Sequence, residues 1–318
     1  MNKKLTKLIE LANKGDIDAQ INLGVCYANG EGVSKDSAEA AELFRKAADH
    51  GDAVAQYNLG VCYEYGEGVP ENLTKAAEWY RKAAEQGDTT AQHNLSFCYA
   101  NGEGVPKDLA KAIEWIQKAV NQGDAAAQCC LGVCYENGDG VAKDLTKAVE
   151  LYQKAAEQGN ADAQHNLSVC YKYGEGISKD LAKAVEWCRK AAEQGFADDQ
   201  FNLGMCYANG EGVPKNLTKA VGWYQKAANQ GIVAAQFNLG MCYANGEGVP
   251  KDLAKAVQWW RKAAEQGDAD AQYNLDVYYA NDKRRVSQSF VPILSSFDIN
   301  KMAIVSVLVS MTEDEQDD

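Results

Sequence analysis

Residues 87–122 read GDTTAQHNLSFCYANGEGVPKDLAKAIEWIQKAVNQ, and the reading of this stretch decides the fold. Two amphipathic segments flank a glycine-rich turn, and the equivalent text from Gly51 shows the pattern. Ala55, Leu59, Cys62 and Tyr63 fall at i, i+4, i+7 and i+8, a single apolar stripe along a helix. Asp52 stands where an N-cap belongs and Gly66 where a left-handed C-cap belongs. The turn Gly66-Glu67-Gly68-Val69-Pro70 reverses the chain, and Asn72 caps a second helix. Ala76, Tyr80, Ala83 and Ala84 then repeat the same spacing until Gly87 stops that helix.

Working outward, the opening glycine recurs at Gly15, Gly51, Gly87, Gly123, Gly159, Gly195, Gly231 and Gly267, always 36 residues apart. A hairpin of that size cannot bury both of its stripes, whereas stacked copies can. The sequence therefore predicts an all-α fold, an α-solenoid of 36-residue helix–turn–helix units. Leu5, Leu8, Leu11 and Ala12 match the second-helix stripe, so residues 1–14 read as a capping half-repeat. The eighth unit begins normally at Gly267, Ala271, Leu275 and Tyr279, then loses its loop glycines at Asn281-Asp282-Lys283-Arg284. Pro292 lies inside its expected second helix, and Asp276 replaces a glycine that elsewhere (Gly24, Gly60, Gly132, Gly204, Gly240) permits close helix contact. The array is expected over 15–284, with 285–318 a non-repeat cap or tail ending in the acidic run Glu313 to Asp318.

With 318 residues, 46% hydrophobic and 24% charged, the composition is that of a globular chain. A net charge of −13 argues against a nucleic-acid partner, which needs clustered Lys and Arg. Lys3, Lys4, Lys7 and Glu10 interrupt any signal-peptide apolar region, and the longest apolar run, 302–311, is about half a membrane span. Ten cysteines without a leader read as reduced thiols. Together these features predict a cytoplasmic protein with no membrane insertion.

Catalytic chemistry finds no support. The column Cys26, Cys62, Cys98, Cys134, Cys170, Cys206 and Cys242 lies on the buried stripe. In-register neighbours there are separated by the ~8–10 Å of packed helices, too far for a disulfide. Cys129, Cys130 and Cys188 show no Cys-x-x-Cys spacing. His93 and His165 share a repeat position with Cys129 between them, but the ~8–10 Å step per repeat opposes a shared zinc ion. The Gly-Glu-Gly-Val loop follows a helix rather than a strand and lacks Gly-Lys-Ser/Thr, so it reads as a helix C-cap, not a phosphate cradle. No cofactor, metal or catalytic set is expected, and the chain is read as not an enzyme.

Ala235, Gln236, Leu239, Gly240, Tyr243, Gly246, Gly248 and Val249, followed by Lys255, Ala256, Trp259, Lys262, Ala263 and Ala264, resemble the Sel-1-like repeat, a relative of the tetratricopeptide repeat. The resemblance covers roughly nine-tenths of the chain. It implies a right-handed superhelix of antiparallel helix pairs and an adaptor or scaffold function with a protein or peptide partner. Some secreted members bridge two cysteines within each repeat, and a membrane-anchored degradation branch carries a signal and a span; this chain departs from both. Two alternatives implied by relatives are a hydrolase, from cysteine-rich members, and a secreted microbial effector.

Comparing repeats within the chain locates the candidate binding face. Opposite the buried stripe, one varying column is Ile21, Tyr57, His93, Cys129, His165, Phe201, Phe237, Tyr273, and its companion is Val25, Val61, Phe97, Val133, Val169, Met205, Met241, Val277. By resemblance to tetratricopeptide repeats this face lines the concave groove. Tyr57, His93, Phe97, Cys129, His165, Phe201, Met205, Phe237, Met241 and Tyr273 are the residues expected to meet the partner, as a ladder for an extended or helical peptide. The sequence equally allows these residues to pack against the next repeat. A column at Glu64, Glu136 and Lys172 adds charge, and the asparagines Asn22, Asn58, Asn94, Asn166, Asn202, Asn238 and Asn274 either present hydrogen bonds to a ligand or tie neighbouring units. Asp199 breaks an all-alanine column, and as an unpaired carboxylate its replacement by alanine is expected to raise thermal stability.

Overall fold

The computed structural model describes residues 3–280, and those residues are helical with no strand among them. The tail 285–318, expected to act as a cap, lies outside the described residues. Helix α1 spans Lys3–Asn13, and first helices of the repeats follow at α2 (Ile17–Asn29), α4 (Ala53–Tyr65), α6 (Thr89–Asn101), α8 (Ala125–Asn137), α10 (Ala161–Tyr173), α12 (Ala197–Asn209) and α14 (Val233–Asn245). Second helices are α3 (Ser37–Asp49), α5 (Leu73–Glu85), α7 (Leu109–Asn121), α9 (Leu145–Glu157), α11 (Leu181–Glu193), α13 (Leu217–Asn229) and α15 (Leu253–Glu265). A further helix begins at residue 269 and runs to the edge of the described residues. The architecture is an all-α repeat solenoid.

The helices start and stop where the local chemistry directs. The Asp52 carboxylate accepts from the Ala55 N–H at 2.8 Å, and the Asn72 side chain accepts from the Lys75 N–H at 3.0 Å. Gly66 takes φ 67° and donates its N–H to the Cys62 carbonyl. Capping accounts for only half of the Gly-x-Gly loop. Gly68, at φ 75°, passes so close to α3 that a Cβ there would sit 1.9 Å from the Ser37 carbonyl oxygen. The first glycine ends a helix, and the second lets the loop lie on the preceding repeat.

By its contacts the chain divides into two compact units, one comprising residues up to 199 with 211–213, the other 200–210 with 214 onward. In the first, Leu59, Leu95, Leu131 and Leu167 are fully buried between Ala76, Tyr80, Ala83 and their counterparts in later copies. Leu5 and Ala12 of α1 cover Leu23 and Leu43, giving the first hairpin the packing that a preceding repeat would supply. In the second, Ala256, Val257, Trp260 and Ala263 enclose Ala271 and Leu275.

A glutamine clamp recurs in the copies from Gln56 to Gln236. Gln56 donates Nε2 to the Ala48 carbonyl of the preceding helix (3.3 Å) and accepts on Oε1 from Gln86 at the end of α5 (2.8 Å). The side-chain pair recurs as Gln92–Gln122, Gln128–Gln158 and Gln164–Gln194 in the first unit, and as Gln200–Gln230 and Gln236–Gln266 in the second. The first repeat breaks the series: His50 occupies the donor's place, its ring meets the Lys46 carbonyl, and the buried Gln20 Oε1 has no partner.

Candidate functional site

The two variable columns lie on the first helices, and their side chains are set by what each repeat places beneath them. In the first unit Tyr57 is half-buried, its ring centroid 5.7 Å from that of Tyr80. The Tyr80 hydroxyl donates to Glu64, and the Tyr152 hydroxyl donates to Glu136 in the same way. Burial and the adjacent carboxylate hold both phenols well above the ordinary tyrosine range, so they stay neutral donors. The charged column foreseen at Glu64 and Glu136 therefore works as an acceptor for a buried phenol. The signal was available in the sequence as a tyrosine sixteen residues after a glutamate.

Phe97 is 46% exposed, its ring 5.0 Å from that of half-buried His93. His93 Nε2 lies 3.3 Å from Cys130 Sγ, so the thiol beside His93 is Cys130 rather than Cys129. Burial lowers the His93 pKa and pushes the Cys130 thiol up to about 11, which keeps the pair neutral and the sulfur a poor nucleophile. Cys129 requires a correction. Expected on the partner face, it is buried, its thiol pushed up to about 12, and it receives a 3.8 Å contact from Asn166 Nδ2. Tyr57, Phe201 and Phe237 in the same column are half-buried.

His165 also differs from expectation, because its Nδ1 donates to Asp199 at 2.8 Å. Asp199 is thus paired, and the premise that alanine there would relieve an isolated carboxylate fails. The link spans 34 residues and leaves no trace in helical periodicity.

In the second unit Phe201 is half-buried, its centroid 5.8 Å from Tyr224, and the Tyr224 hydroxyl donates to Met205 Sδ at 3.1 Å. Phe237 and Met241 pack partly against the cluster around Trp260. Tyr273 stands 67% exposed. Asn274 Nδ2 reaches Met241 Sδ at 3.5 Å, which with Asn166 on Cys129 shows asparagines tying one repeat to the next. Asn238 instead bonds the Ala234 carbonyl of its own helix.

None of the ten cysteines is in a disulfide. Burial pushes Cys62, Cys98 and Cys242 up to about 11 and Cys170 to about 12, the behaviour of small apolar core residues. Among the described residues no three His, Cys, Asp or Glu side chains converge to hold a metal ion, and no helix is long and apolar enough to cross a membrane.

Compared with known families, seven consecutive segments, 17–52, 53–88, 89–124, 125–160, 161–196, 197–232 and 233–268, match the Sel1 repeat. The chain belongs to the Sel1 repeat family. The matched boundaries follow the glycine period two residues late, at the helix start rather than the preceding turn. Among solved structures it is similar to c5321, a protective antigen of uropathogenic Escherichia coli displaying an SLR fold: 39% identity, TM-score 0.82, covering 87% of this chain and 60% of that one. It is also similar to a Sel1 repeat protein from Oxalobacter formigenes, at 37% identity and TM-score 0.70, covering 86% and 79% of the two chains. This chain thus spans about six-tenths of the antigen's length. No curated protein matches it. Sel1 repeats commonly mediate protein–protein interaction.

Proposed function

We propose that this Sel1 repeat protein is a non-enzymatic interaction scaffold whose first-helix face takes a protein or peptide partner. One observation carries the reading: apolar side chains remain exposed on the side of the first helices turned away from their own buried stripe. Within the two columns Tyr273 and Phe97 are the exposed aromatic residues, with Val25, Val133 and Val277 exposed in the companion column. Aromatic residues presented on rigid helices lose little conformational freedom on binding and dominate interaction hot spots. The raised pKa of the buried thiols such as Cys62 and Cys170 and the neutral His93–Cys130 pair support a non-catalytic role, and ten cysteines outside any disulfide support a reducing, cytoplasmic setting.

Phe201 and Phe237 are half-buried, so their removal would mix packing with binding. Phe97→Ser and Tyr273→Ser avoid that. With the full chain immobilised, the wild type should retain a defined protein from extract of its native cells, and at least one variant should lose it while helicity and Tm hold. Equal retention by wild type and both variants would remove the face from consideration.

A further inference from the structure

Asp199 sits where every other copy of the first helix carries alanine, Ala163 and Ala235 among them. It is fully buried. One oxygen, Oδ2, accepts from His165 Nδ1 at 2.8 Å; the other, Oδ1, has no hydrogen-bond partner. Cys188 Sγ from α11 donates to the Asp199 main-chain carbonyl at 3.4 Å, which leaves the carboxylate itself no better served. The His165 side chain is 35% exposed, so water reaches the imidazole while its counter-ion lies beneath the surface. Both residues belong to the first unit.

A carboxylate in such a place needs charge as well as a hydrogen bond. Neutral imidazole offers the bond alone, whereas imidazolium offers both, and a buried charge left without its counter-charge is strongly destabilising. We propose that His165 and Asp199 form a proton-controlled joint between α10 and the first turn of α12, firm when the imidazole is protonated and loosened when it is not. This goes beyond the partner reading and stands or falls on the pair itself. The charged and titratable groups around it are Asp162 on α10, Asp198 on α12 and Cys188 on α11, with Cys129 of α8 touching the neighbouring Asn166. The Asp199 hydrogen bond is the largest influence on His165 and raises its proton affinity; burial opposes it, and the charges of Asp199, Asp198 and Asp162 add to it.

Linkage gives the direction. A histidine whose folded pKa lies above its unfolded value of about 6.5 contributes stability that is complete below about pH 6.5 and is lost as pH rises through the folded value.

The full chain has three histidines, so ring-labelled histidine gives three NMR titrations, each assignable by substitution. His165 should titrate above the free-histidine value of about 6.5, and above His93, whose pKa burial lowers. Asp199→Asn, isosteric and uncharged, should bring the His165 midpoint down. Melting from about pH 5.5 to about 8.5 should show the wild-type Tm falling with pH, and a flatter profile for Asp199→Asn and His165→Gln. A wild-type His165 midpoint at or below the free value overturns the proposal, even if the variants fail to fold. Identical pH profiles for wild type and Asp199→Asn overturn it too.

Discussion

Two consecutive copies, 53–88 and 89–124, differ at two positions that touch. In the first, a Cβ on Gly60 would lie 2.6 Å from the ring of Tyr80, which is fully buried against that helix. In the second, Ser96 stands at the glycine position and Ile116 at the tyrosine position. The exchange repeats at Gly132 with Tyr152 and at Ser168 with Cys188. Elsewhere glycine again meets a ring: Gly24 with Phe44, Gly204 with Tyr224, Gly240 with Trp260. Glycine stands where the facing residue is a ring, and serine where it is the smaller Ile116 or Cys188. The exchange also reaches the candidate face, because the tyrosine copies bring up a hydroxyl that Glu64 or Glu136 accepts, whereas the 89–124 copy has Ala100 there and an exposed Phe97.

The strongest way to break this comparison is to mix the copies. Gly60→Ser should force the helices apart or tilt Tyr80, at a cost of about 1–3 kcal/mol. Tyr80→Ile alone should leave a cavity costing about 2–4 kcal/mol. Gly60→Ser/Tyr80→Ile rebuilds the pairing found at Ser96 and Ile116 and should be more stable than the sum of the singles implies, with a coupling of about 0.5–3 kcal/mol. Urea unfolding of the four proteins closes the cycle; simple additivity would mean that the pairing is coincidental.

A smaller effect sharpens the contrast between tyrosines. Tyr80 donates to a carboxylate and Tyr224 to a thioether, a weak acceptor. Tyr80→Phe should cost about 0.5–1.5 kcal/mol, and Tyr224→Phe should cost clearly less. Matching losses in urea midpoint would show that Glu64 adds nothing to its copy.

The hairpin period, its caps and its buried stripe were legible because each signal is local and repeated: Asp52, Gly66 and Asn72 act within a few residues of where they stand. Gly68 was half legible. Its positive φ follows from the loop, but its approach to Ser37 depends on the neighbouring repeat. The Tyr80–Glu64, His165–Asp199 and Gln56–Gln86 pairs escaped because they join different helices at offsets that no single-helix period contains. On the face, residue type marked the columns but not the depth. Cys129 is buried and Tyr273 exposed although both occupy one column, and Tyr57, Phe201 and Phe237 lie half-buried between those extremes.

The first copy offers the smallest test and the only one expected to add stability. Gln20 occupies the clamp position and donates to the Ala12 carbonyl at 3.3 Å, but its buried Oε1 lacks the donor that Gln86 supplies to Gln56. His50 stands in that donor's place with its ring turned to its own helix at Lys46. A buried acceptor left unmet costs more than an ordinary hydrogen bond returns, and restoring the partner recovers part of that cost. His50→Gln should therefore stabilise the chain by about 0.5–1.5 kcal/mol, seen as a higher urea midpoint. The same substitution with Gln20→Ala already in place should give no gain, since the acceptor is gone. A gain that survives Gln20→Ala would come from the helix end alone, and the clamp would then be a consequence of the repeat's packing rather than one of its supports.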